Sequence, residues 1–379
     1  MRIIFFTESY KPYISGVTTV LENLANYLTL KGHQVWIVAP WYPEEKKVLS
    51  KIIRLPSFPS KTYPGFRIAI PFFTRLFQKI KLIVPEIIHS HSPYTLGILA
   101  KIYSRRLKVP FVYTFHTIFT DYLHYFPILP PKLAEYFLKR YFGWFLKNTP
   151  VVVPTEFVKN MIAEFAPSMI EIIPSGIDLK KVLEADSFDL RKKIGLSPDT
   201  KILLYVGRLS QEKNISFLMA SLNVLAKKRS DWHLLLVASG PEENNLKNFS
   251  RELGLRKQLT FWPQVPHSEI YSLYRSADIF VCSSKSEAQG MVLIEAMAAG
   301  LPVVAVAAKG VSDIINKNVG FLVGEDIFEF SQAIEKLLES SDLRKTFGEG
   351  ARHYVGERYS ASITAEKMEK LYFKLTRVR

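Results

Sequence analysis

The sequence is poor in cysteine and contains no long apolar run. Its 379 residues include one cysteine, Cys282, so no disulfide can form within the chain. Because Cys282 lies in an apolar segment, we expect it to be a small buried hydrophobe. No stretch of 18 or more apolar residues occurs, which predicts that no helix crosses a bilayer. The first residues, MRIIFFTES, lack the long apolar region of a signal peptide, so we expect a first strand there and a cytosolic protein.

Sequence motifs for metal binding are also missing. No Cys and His residues have the spacing of zinc ligands, and no GxxxxGK[ST] phosphate loop occurs. We therefore expect no essential metal. Hydrophobic residues make up 48% of the chain and charged residues 22%, as in folded globular proteins. The length predicts two domains of ordinary size.

Acidic residues are scarce in one part of a basic chain. The net charge is +15, and residues 65–147 hold twelve Lys or Arg against Glu86, Asp121 and Glu135, a net charge of +9. This excess indicates an anionic partner, which leaves nucleic acid, an acidic membrane surface and phosphorylated ligands open.

Apolar strands alternate with amphipathic helices along the chain. The pattern begins with RIIFFT and restarts after about residue 180 with KILLYVG. Such alternation predicts parallel sheets covered by helices, and two series predict two doubly wound α/β domains with ligands beyond the carboxyl ends of the strands. We expect a boundary near 173–181, an N-terminal domain at 1–178, a second domain at 179–355 and a C-terminal helix at 356–379.

The segment SEAQGMVLIEAMAAGLPVVA (286–305) follows the apolar strand DIFVCSS. Gly290 is predicted to open a helix, with Met291 and Val292 in its first turn. A helix N-terminus offers free N–H groups and a positive dipole end, which suits a phosphate. Glu287 and Glu295 flank that position and can accept hydrogen bonds from hydroxyls, Glu287 from a sugar and Glu295 from a ribose. This combination predicts a nucleotide-sugar site, although either carboxylate could instead be a solvated surface group.

The two-glutamate pattern resembles that of the retaining GT-B glycosyltransferases of group 1 and family 4. The resemblance implies two Rossmann-like domains facing a cleft, with a nucleotide-sugar donor in the second and a final helix that crosses back to the first. No Asp-x-Asp occurs, which disfavours the metal-dependent GT-A type.

Two cations follow a predicted strand in VGRLSQEKNISFLM (206–219). Positive charge there would stabilise the departing nucleoside diphosphate. The resemblance assigns Arg208 and Lys213 to a diphosphate clamp, and an exposed basic loop is the alternative interpretation.

The remaining donor-site candidates rest on the same resemblance. Gly16 lies between the first strand and the first helix, where a side chain would block the approach of a phosphate; a simple turn glycine is the alternative. The resemblance places His116 beside the transferred sugar, as a catalytic residue with Glu287, and it assigns Gly240 and Val265 to the nucleoside. His89 and His91 end another strand, and a direct role for them stays open.

The segment PFFTRLFQKIKLIV (71–84) has the pattern of an amphipathic helix. At about 100° per residue its apolar side chains fall within an arc of about 140°. Such a helix in a basic region indicates an anionic membrane interface, and packing on the domain's own core is the alternative. The membrane-binding candidates are Phe72, Phe73, Arg75, Leu76, Phe77, Lys79, Ile80 and Lys81.

The continuation of the His116 strand, FHTIFTDYLHY, contains Asp121, Tyr122, His124 and Tyr125. It resembles the lipid branch of the family, the bacterial diacylglycerol glucosyltransferases. That resemblance implies transfer of a hexose, glucose by preference, from a UDP-sugar to the 3-hydroxyl of diacylglycerol. The enzyme would be peripheral on the cytoplasmic face of the cell membrane.

Rival interpretations keep some of these features. A GDP-mannose-dependent lipid mannosyltransferase, or a transferase for a soluble sugar acceptor, would share the donor motifs. An isomerase or epimerase of the donor sugar would need no lipid, and the segment 71–84 argues against it. A nucleic-acid-binding protein would use the basic region but would leave Arg208, Lys213, Glu287 and Glu295 unexplained, so no nucleic-acid partner is expected.

Overall fold

A computed structural model describes residues 1–13, 15–45, 50–60, 65–70, 73–118, 130–263 and 265–377. The chain divides into two units. The first comprises Met1–Ile177 together with Ala361–Arg379, and the second comprises Asp178–Ser360. The sequence indicated a division near 173–181 and a last segment from 356.

The first unit contains a seven-stranded parallel sheet, in the order β3-β2-β1-β6-β7-β8-β9. The inner strand Arg2–Phe6 is apolar from Ile3 onward, as expected for a strand of a parallel sheet with both faces covered, and Phe5 pairs in register with Ile37 on one side and His89 on the other. A short antiparallel pair, β4 and β5, is separate from this sheet. The strands are β1 (Arg2–Phe6), β2 (Gln34–Pro40), β3 (Ile52–Leu55), β4 (Ser57–Pro59), β5 (Arg67–Ala69), β6 (Ile87–Ser90), β7 (Phe111–Thr114), β8 (Pro150–Val153) and β9 (Met169–Ile172).

Helices connect these strands. The first helix begins at a serine, Ser15, whose Oγ accepts a hydrogen bond from Thr18 N and so satisfies one free amide of the first turn. Before the second unit begins, this unit contains the helices α1 (Gly16–Leu30), α2 (Phe73–Ile83), α3 (Thr95–Leu107), α4 (Pro131–Leu146) and α5 (Glu156–Ile162), with a 3₁₀ turn at Ala163–Phe165.

The second unit contains a six-stranded parallel sheet, in the order β12-β11-β10-β13-β14-β15. Its strands are β10 (Lys201–Arg208), β11 (Trp232–Ser239), β12 (Leu259–Trp262), β13 (Ile279–Cys282), β14 (Val303–Val306) and β15 (Gly320–Val323). Its helices are α6 (Leu179–Leu183), α7 (Leu190–Ile194), α8 (Ile215–Ala226), α9 (Glu243–Glu252), α10 (His267–Ser276), α11 (Met291–Ala299), α12 (Ile327–Glu339) and α13 (Ser341–Arg358), with 3₁₀ turns at Gln211–Lys213 and Leu255–Lys257.

The parallel sheets confirm the predicted fold class of two Rossmann-like α/β domains. Cys282 is buried at the end of β13, as expected, and burial raises the pKa of its thiol to about 12. Among the described residues, no helix combines the length and the apolarity that crossing a bilayer requires.

The last helix, α14 (Ala361–Arg377), belongs to the first unit although its sequence follows the second. Its residues Ala365, Met368, Leu371 and Tyr372 join the core cluster that contains Leu24 of α1. Glu369 Oε1 accepts a hydrogen bond from His33 Nε2 at 2.7 Å, and Glu369 Oε2 pairs with Lys31 Nζ at 3.0 Å.

The segment 71–84 forms helix α2 as predicted, but its apolar face lies inside the unit. Leu76 is 3% exposed and Ile80 is fully buried, while Phe77 is half-buried against Tyr103 at a centroid distance of 5.2 Å. The expectation that these apolar residues enter a membrane is therefore wrong for Leu76 and Ile80, because packing on the core already removes them from water. Arg75, Lys79 and Lys81 are exposed; Phe72 and the Phe73 side chain lie outside the described part.

Candidate active site

The loops that carry the predicted donor residues meet at the carboxyl ends of β10, β11 and β13. Arg208 ends β10 in register with Ser239 of β11. Gly240 comes next and lies so close to the neighbouring loop that a Cβ there would be 2.3 Å from the Leu209 carbonyl oxygen. Position 240 therefore needs a glycine for steric reasons, whatever it binds.

Lys213 lies in the 3₁₀ turn that follows β10. Its carbonyl oxygen accepts a hydrogen bond from Ser283 Oγ at 2.8 Å, and the Glu212 carbonyl accepts one from Lys285 N at 2.9 Å. Asn214 then takes the left-handed conformation, with φ of 54°, which ends the turn and starts α8. These contacts hold Lys213 against the loop beyond β13.

Lys213 and Glu287 form an ion pair. Lys213 Nζ lies 2.6 Å from Glu287 Oε1, and the two side chains are 14% and 15% exposed. The sequence predicted both as ligand contacts, and the structure brings them together. Such a charge-assisted bond is stronger than one between neutral groups, and it fixes the ammonium and the carboxylate where they can face one ligand.

The backbone around Glu287 is held by a second loop. Glu287 N donates to the Lys309 carbonyl at 3.2 Å, next to a parallel bridge between Ser286 and Lys309. Gly310 has φ of +71°, and a Cβ there would lie 1.9 Å from the Glu287 carbonyl oxygen. Sequence reasoning missed Gly310, because its partner is far away along the chain.

Helix α11 begins next to this pair. Gly290 is left-handed, with φ of 70°, and α11 runs from Met291 to Ala299, as predicted. Met291 and Val292 are half-buried and lie in the first turn, where amide groups have no partner within the helix. The arrangement of helix start, ammonium and carboxylate suits a ligand with both phosphate and hydroxyl groups.

Glu295 and Val265 are the remaining donor-site candidates of the second unit. Glu295 is in the second turn of α11, is 6% exposed, and its Oε2 accepts a hydrogen bond from Tyr274 OH at 3.1 Å. Burial and the nearby Glu295 carboxylate raise the pKa of Tyr274 well above its ordinary value. Tyr274 was not foreseen from the sequence. Val265 follows β12, the edge strand of the sheet.

Candidates of the first unit also lie at the carboxyl ends of strands. Gly16 begins α1 and is exposed. His116 follows β7 and is half-buried, and its Nε2 lies 3.0 Å from His91 Nδ1. Desolvation lowers the pKa of His116 to about 4 and that of His91 well below its usual value. Both rings are therefore neutral near pH 7, and one hydrogen is shared between the facing nitrogens.

His89 and His91 have different surroundings. Both ring nitrogens of His89 have a hydrogen-bond partner: one lies 2.6 Å from Tyr372 OH of α14 and the other 2.7 Å from Thr114 Oγ1. His91 Nε2 is buried and has no hydrogen-bond partner among the described residues. We therefore assign a structural role to His89, and we regard His91 as the residue that orients His116.

Glu8 is a buried carboxylate that the sequence did not single out. It follows β1, is fully buried, and its Oε1 accepts hydrogen bonds from Leu96 N at 2.6 Å and Thr95 Oγ1 at 3.1 Å. Burial raises the pKa of this carboxyl. Its other oxygen has no hydrogen-bond partner within the described ranges, so it can take one more hydrogen bond.

Two expectations are not decided by this geometry. Asp121, Tyr122, His124 and Tyr125 lie outside the described residues. The described residues contain no group of three or more His, Cys, Asp or Glu side chains that could hold a metal ion, and the absence of an essential metal stays a prediction.

Comparison with known proteins decides the family. Residues 14–181 match the model of glycosyltransferase family 4, and residues 186–354 match that of glycosyl transferases group 1. The alpha-monoglucosyldiacylglycerol synthase of Streptococcus pneumoniae is 30% identical, over 80% of this chain and 71% of that protein. The chain belongs to the group 1 and family 4 glycosyltransferases. The synthase of the same name from Acholeplasma laidlawii is also 30% identical to this glycosyltransferase, over 80% of each.

Solved structures agree on the fold of this glycosyltransferase. The Anabaena protein HepE, in complex with UDP and glucose, has a TM-score of 0.77 at 18% identity and covers 99% of this chain and 100% of its own. The fold of the glycosyltransferase is thus GT-B. The residues at the strand ends of its second unit lie in the domain that matches the group 1 model.

Proposed function

We propose that this glycosyltransferase moves a hexose, glucose by preference, from a UDP-sugar to the 3-hydroxyl of diacylglycerol, with retention of the anomeric configuration. The observation that carries the donor half is the Lys213–Glu287 pair at the start of α11. The acceptor half is supported by two relatives at 30% identity whose names are those of monoglucosyldiacylglycerol synthases.

Each residue of the donor site has a role in this proposal. The diphosphate lies against the free amides at the start of α11 and against the Lys213 ammonium, with Arg208 adding positive charge from the end of β10. Glu287 accepts hydrogen bonds from the sugar hydroxyls, and Glu295 from the ribose. Gly240 and Val265 lie on loops assigned to the nucleoside, and Gly16 and His116 keep the roles that the family resemblance gives them.

The reaction exchanges one bond at the anomeric carbon. The bond from that carbon to the diphosphate oxygen breaks, and a bond to the lipid hydroxyl oxygen forms on the same face of the sugar. The diphosphate oxygen takes the proton of the hydroxyl. Lys213, Arg208 and the α11 amides stabilise the charge that the leaving group gains. No step involves a metal, so transfer is expected to survive chelation by EDTA.

The lipid acceptor also gives the proposed enzyme its location. Diacylglycerol resides in a bilayer, and the nucleotide-sugar is a soluble molecule of the cytosol. We therefore place the enzyme on the cytoplasmic face of the cell membrane as a peripheral protein. The net charge of +15 supports attraction to anionic lipid.

The test is a product assay. The purified protein is incubated with diacylglycerol in mixed micelles and with UDP-glucose, UDP-galactose or GDP-mannose in turn. Mass spectrometry of the lipids is expected to show a hexosyl-diacylglycerol from UDP-glucose, and the coupling constant of its anomeric proton reports retention. Product from GDP-mannose alone would replace the donor in the proposal, and donor hydrolysis without a glycolipid would contradict the lipid acceptor.

A further inference from the structure

Helix α4 has one face that is buried in the first unit and a second apolar face whose side chains are about half exposed. On the packed face Phe142 is 4% exposed, and Phe145 and Leu146 are fully buried. Phe142 lies 5.6 Å from Phe115 between ring centroids. This inner face is enough to dock the helix, so the outer face needs a separate explanation.

The outer face carries four large apolar or aromatic side chains. Leu133 is 42% exposed, Tyr136 and Phe137 are 53% exposed, and Trp144 is 54% exposed. At about 100° per residue these four positions fall within an arc of about 100°, on the side opposite to Phe142. We call Leu133, Tyr136, Phe137 and Trp144 the aromatic stripe.

Cations border the aromatic stripe. Lys132, Lys139, Arg140 and Lys147 are all exposed, and the only acidic residue of the helix, Glu135, is paired with Lys139 at 2.9 Å. Four cations and one acidic residue give α4 and its flanks a net charge of +3. The Arg140 guanidinium lies 6.0 Å from the centroid of the Tyr136 ring. Aromatic and cationic groups therefore share one surface.

This combination distinguishes α4 from α2. The apolar face of α2 is packed on the core. Among the described residues of α2, the most exposed large apolar side chain is Leu82, at 83%. Isolated exposed apolar residues are normal on soluble proteins, whereas a row of aromatic side chains along one helix face is not. Amphipathic aromatic rings beside Lys and Arg match the boundary between lipid headgroups and acyl chains.

We propose that the aromatic stripe of α4, rather than α2, is the surface that enters an anionic lipid bilayer. Leu133, Phe137 and Trp144 would lie at the level of the upper acyl chains, and Lys139 and Arg140 would lie at the lipid phosphates. The inference deepens the proposed function, since a lipid acceptor requires such a surface. It can be tested without sugar transfer.

The first arm measures vesicle binding of a Phe137→Ser, Trp144→Ser variant by flotation. Vesicles of phosphatidylcholine with phosphatidylglycerol are the probe, and the partition coefficient is expected to fall about tenfold or more because two large apolar side chains no longer leave water. Matched controls are Leu82→Ser on α2 and Phe328→Ser on α12, where the side chains are 83% and 65% exposed. The controls are expected to bind as the wild type does, and equal binding by the stripe variant would overturn the proposal.

The second arm tests the cations. A Lys139→Gln, Arg140→Gln variant is expected to lose about 30-fold in binding to vesicles with phosphatidylglycerol, since each cation near an anionic surface contributes about 1 kcal/mol. Its binding to pure phosphatidylcholine is expected to change little. The control is Lys180→Gln in the second unit, whose side chain is 76% exposed. An equal loss on both kinds of vesicle would contradict the assigned role of the charges.

A conservative substitution protects the test against misfolding. The tryptophan emission of the wild type is expected to shift to shorter wavelength when anionic vesicles are added, and most of that shift should disappear in Trp144→Phe.

Sedimentation without lipid measures the oligomeric state of the wild type and of the stripe variant. It tests whether a second copy of the chain covers the aromatic stripe. A wild-type dimer that the stripe variant abolishes, with unchanged vesicle binding, would overturn the membrane assignment.

The inference and the proposed function can fail separately. If the wild type makes no glycolipid but loses vesicle binding when the stripe is changed, the membrane surface stands and the acceptor is wrong. The opposite outcome is that glycolipid forms equally with wild type and stripe variant in neutral detergent micelles, while the two bind vesicles equally well. In that case the proposed function is retained and the membrane-binding surface lies elsewhere.

Discussion

The Lys213 ammonium has its counterion built into the fold. Glu287 is 2.6 Å away, so the ammonium is already positioned before a diphosphate arrives, and the carboxylate remains available for hydroxyl groups. The sequence indicated that each residue belongs to a donor site. It did not indicate that the two are paired, because 74 positions separate them.

Removing the Lys213 ammonium is expected to lower the turnover number. Lys213→Ala is expected to lower kcat about 10²- to 10³-fold in the product assay, by removing a charge that stabilises the leaving diphosphate. Lys285→Ala is the matched control, since Lys285 pairs with Glu325 at 2.5 Å and its side chain is 49% exposed. Wild-type kcat in Lys213→Ala would rule out the assigned role.

Gly310 provides a residue-scale test that does not touch the substrate. A Cβ at this left-handed position would lie 1.9 Å from the Glu287 carbonyl oxygen, so Gly310→Ala must displace the backbone that carries Glu287. We expect a lower free energy of unfolding, by about 1–2 kcal/mol or more, and weaker donor binding by calorimetry. Gly254→Ala has a similar φ of +71° with open space around its Cβ, so it should lose stability but keep donor affinity.

His233 provides a pH test within the second unit. Burial lowers its pKa to about 4, whereas an unfolded histidine titrates near 6.5. Between these values the unfolded chain binds a proton that the native ring does not, so stability falls as the pH is lowered through this window. His233→Gln is expected to reduce the slope of unfolding free energy against pH by at most about 1.4 kcal/mol per unit. An unchanged slope in His233→Gln would contradict this account.

Other site residues could not have been found from spacing alone. Tyr274 reaches Glu295 from a different helix, and His91 meets His116 from a neighbouring strand. Motif spacing reports on residues within one loop or one helix. Contacts of this kind depend on the order of strands in a sheet, which the sequence pattern does not specify.

Among the elements, α2 and α4 show what helical periodicity can and cannot predict. The period of α2 correctly predicted an amphipathic helix, but it could not say whether the apolar face meets a membrane or a core. In α4 the apolar residues occur on both faces, so no single face stands out, and the sequence did not indicate this helix. The exposed and buried sides became distinguishable only when the sheet beneath α4 was known.

The contribution of α2 packing to stability can be measured by comparing a buried and an exposed side chain of this helix. Ile80→Ala removes a fully buried side chain, and Leu82→Ala removes one that is 83% exposed. The first is expected to lower the free energy of unfolding by about 2–5 kcal/mol and the second by less than about 0.5 kcal/mol, both by urea denaturation. Equal effects would mean that α2 does not rest on the core.

At the scale of the whole molecule, the sequence predicted the two α/β domains well, since each parallel strand is a nearly continuous apolar run. The most notable feature at this scale is that the first unit contains segments from both the N-terminal and the C-terminal part of the chain. Residues from Ala361 onward pack with α1, and Tyr372 OH bonds to His89 at 2.6 Å.

This closure by α14 predicts a long-range effect on stability. Leu371→Ala opens a cavity in the cluster that contains Phe5 and Val35, so the amides of β1 and β2 should exchange faster with deuterium. The amides of β10 and β11 in the second unit should keep their protection. Phe373→Ala, at a position 42% exposed on the same helix, serves as the control. Faster exchange throughout both units would show that they unfold as one body.

The return of the last helix also sets an order of events on the ribosome. The second unit is continuous in sequence, and all of its strands have been synthesised before α14 emerges. Most of the first unit is made before the second, but it lacks a helix of its core until α14 has been synthesised. During that interval the apolar side chains that α14 will cover remain accessible to chaperones. The unit whose strands are synthesised first is therefore the unit whose core is completed last.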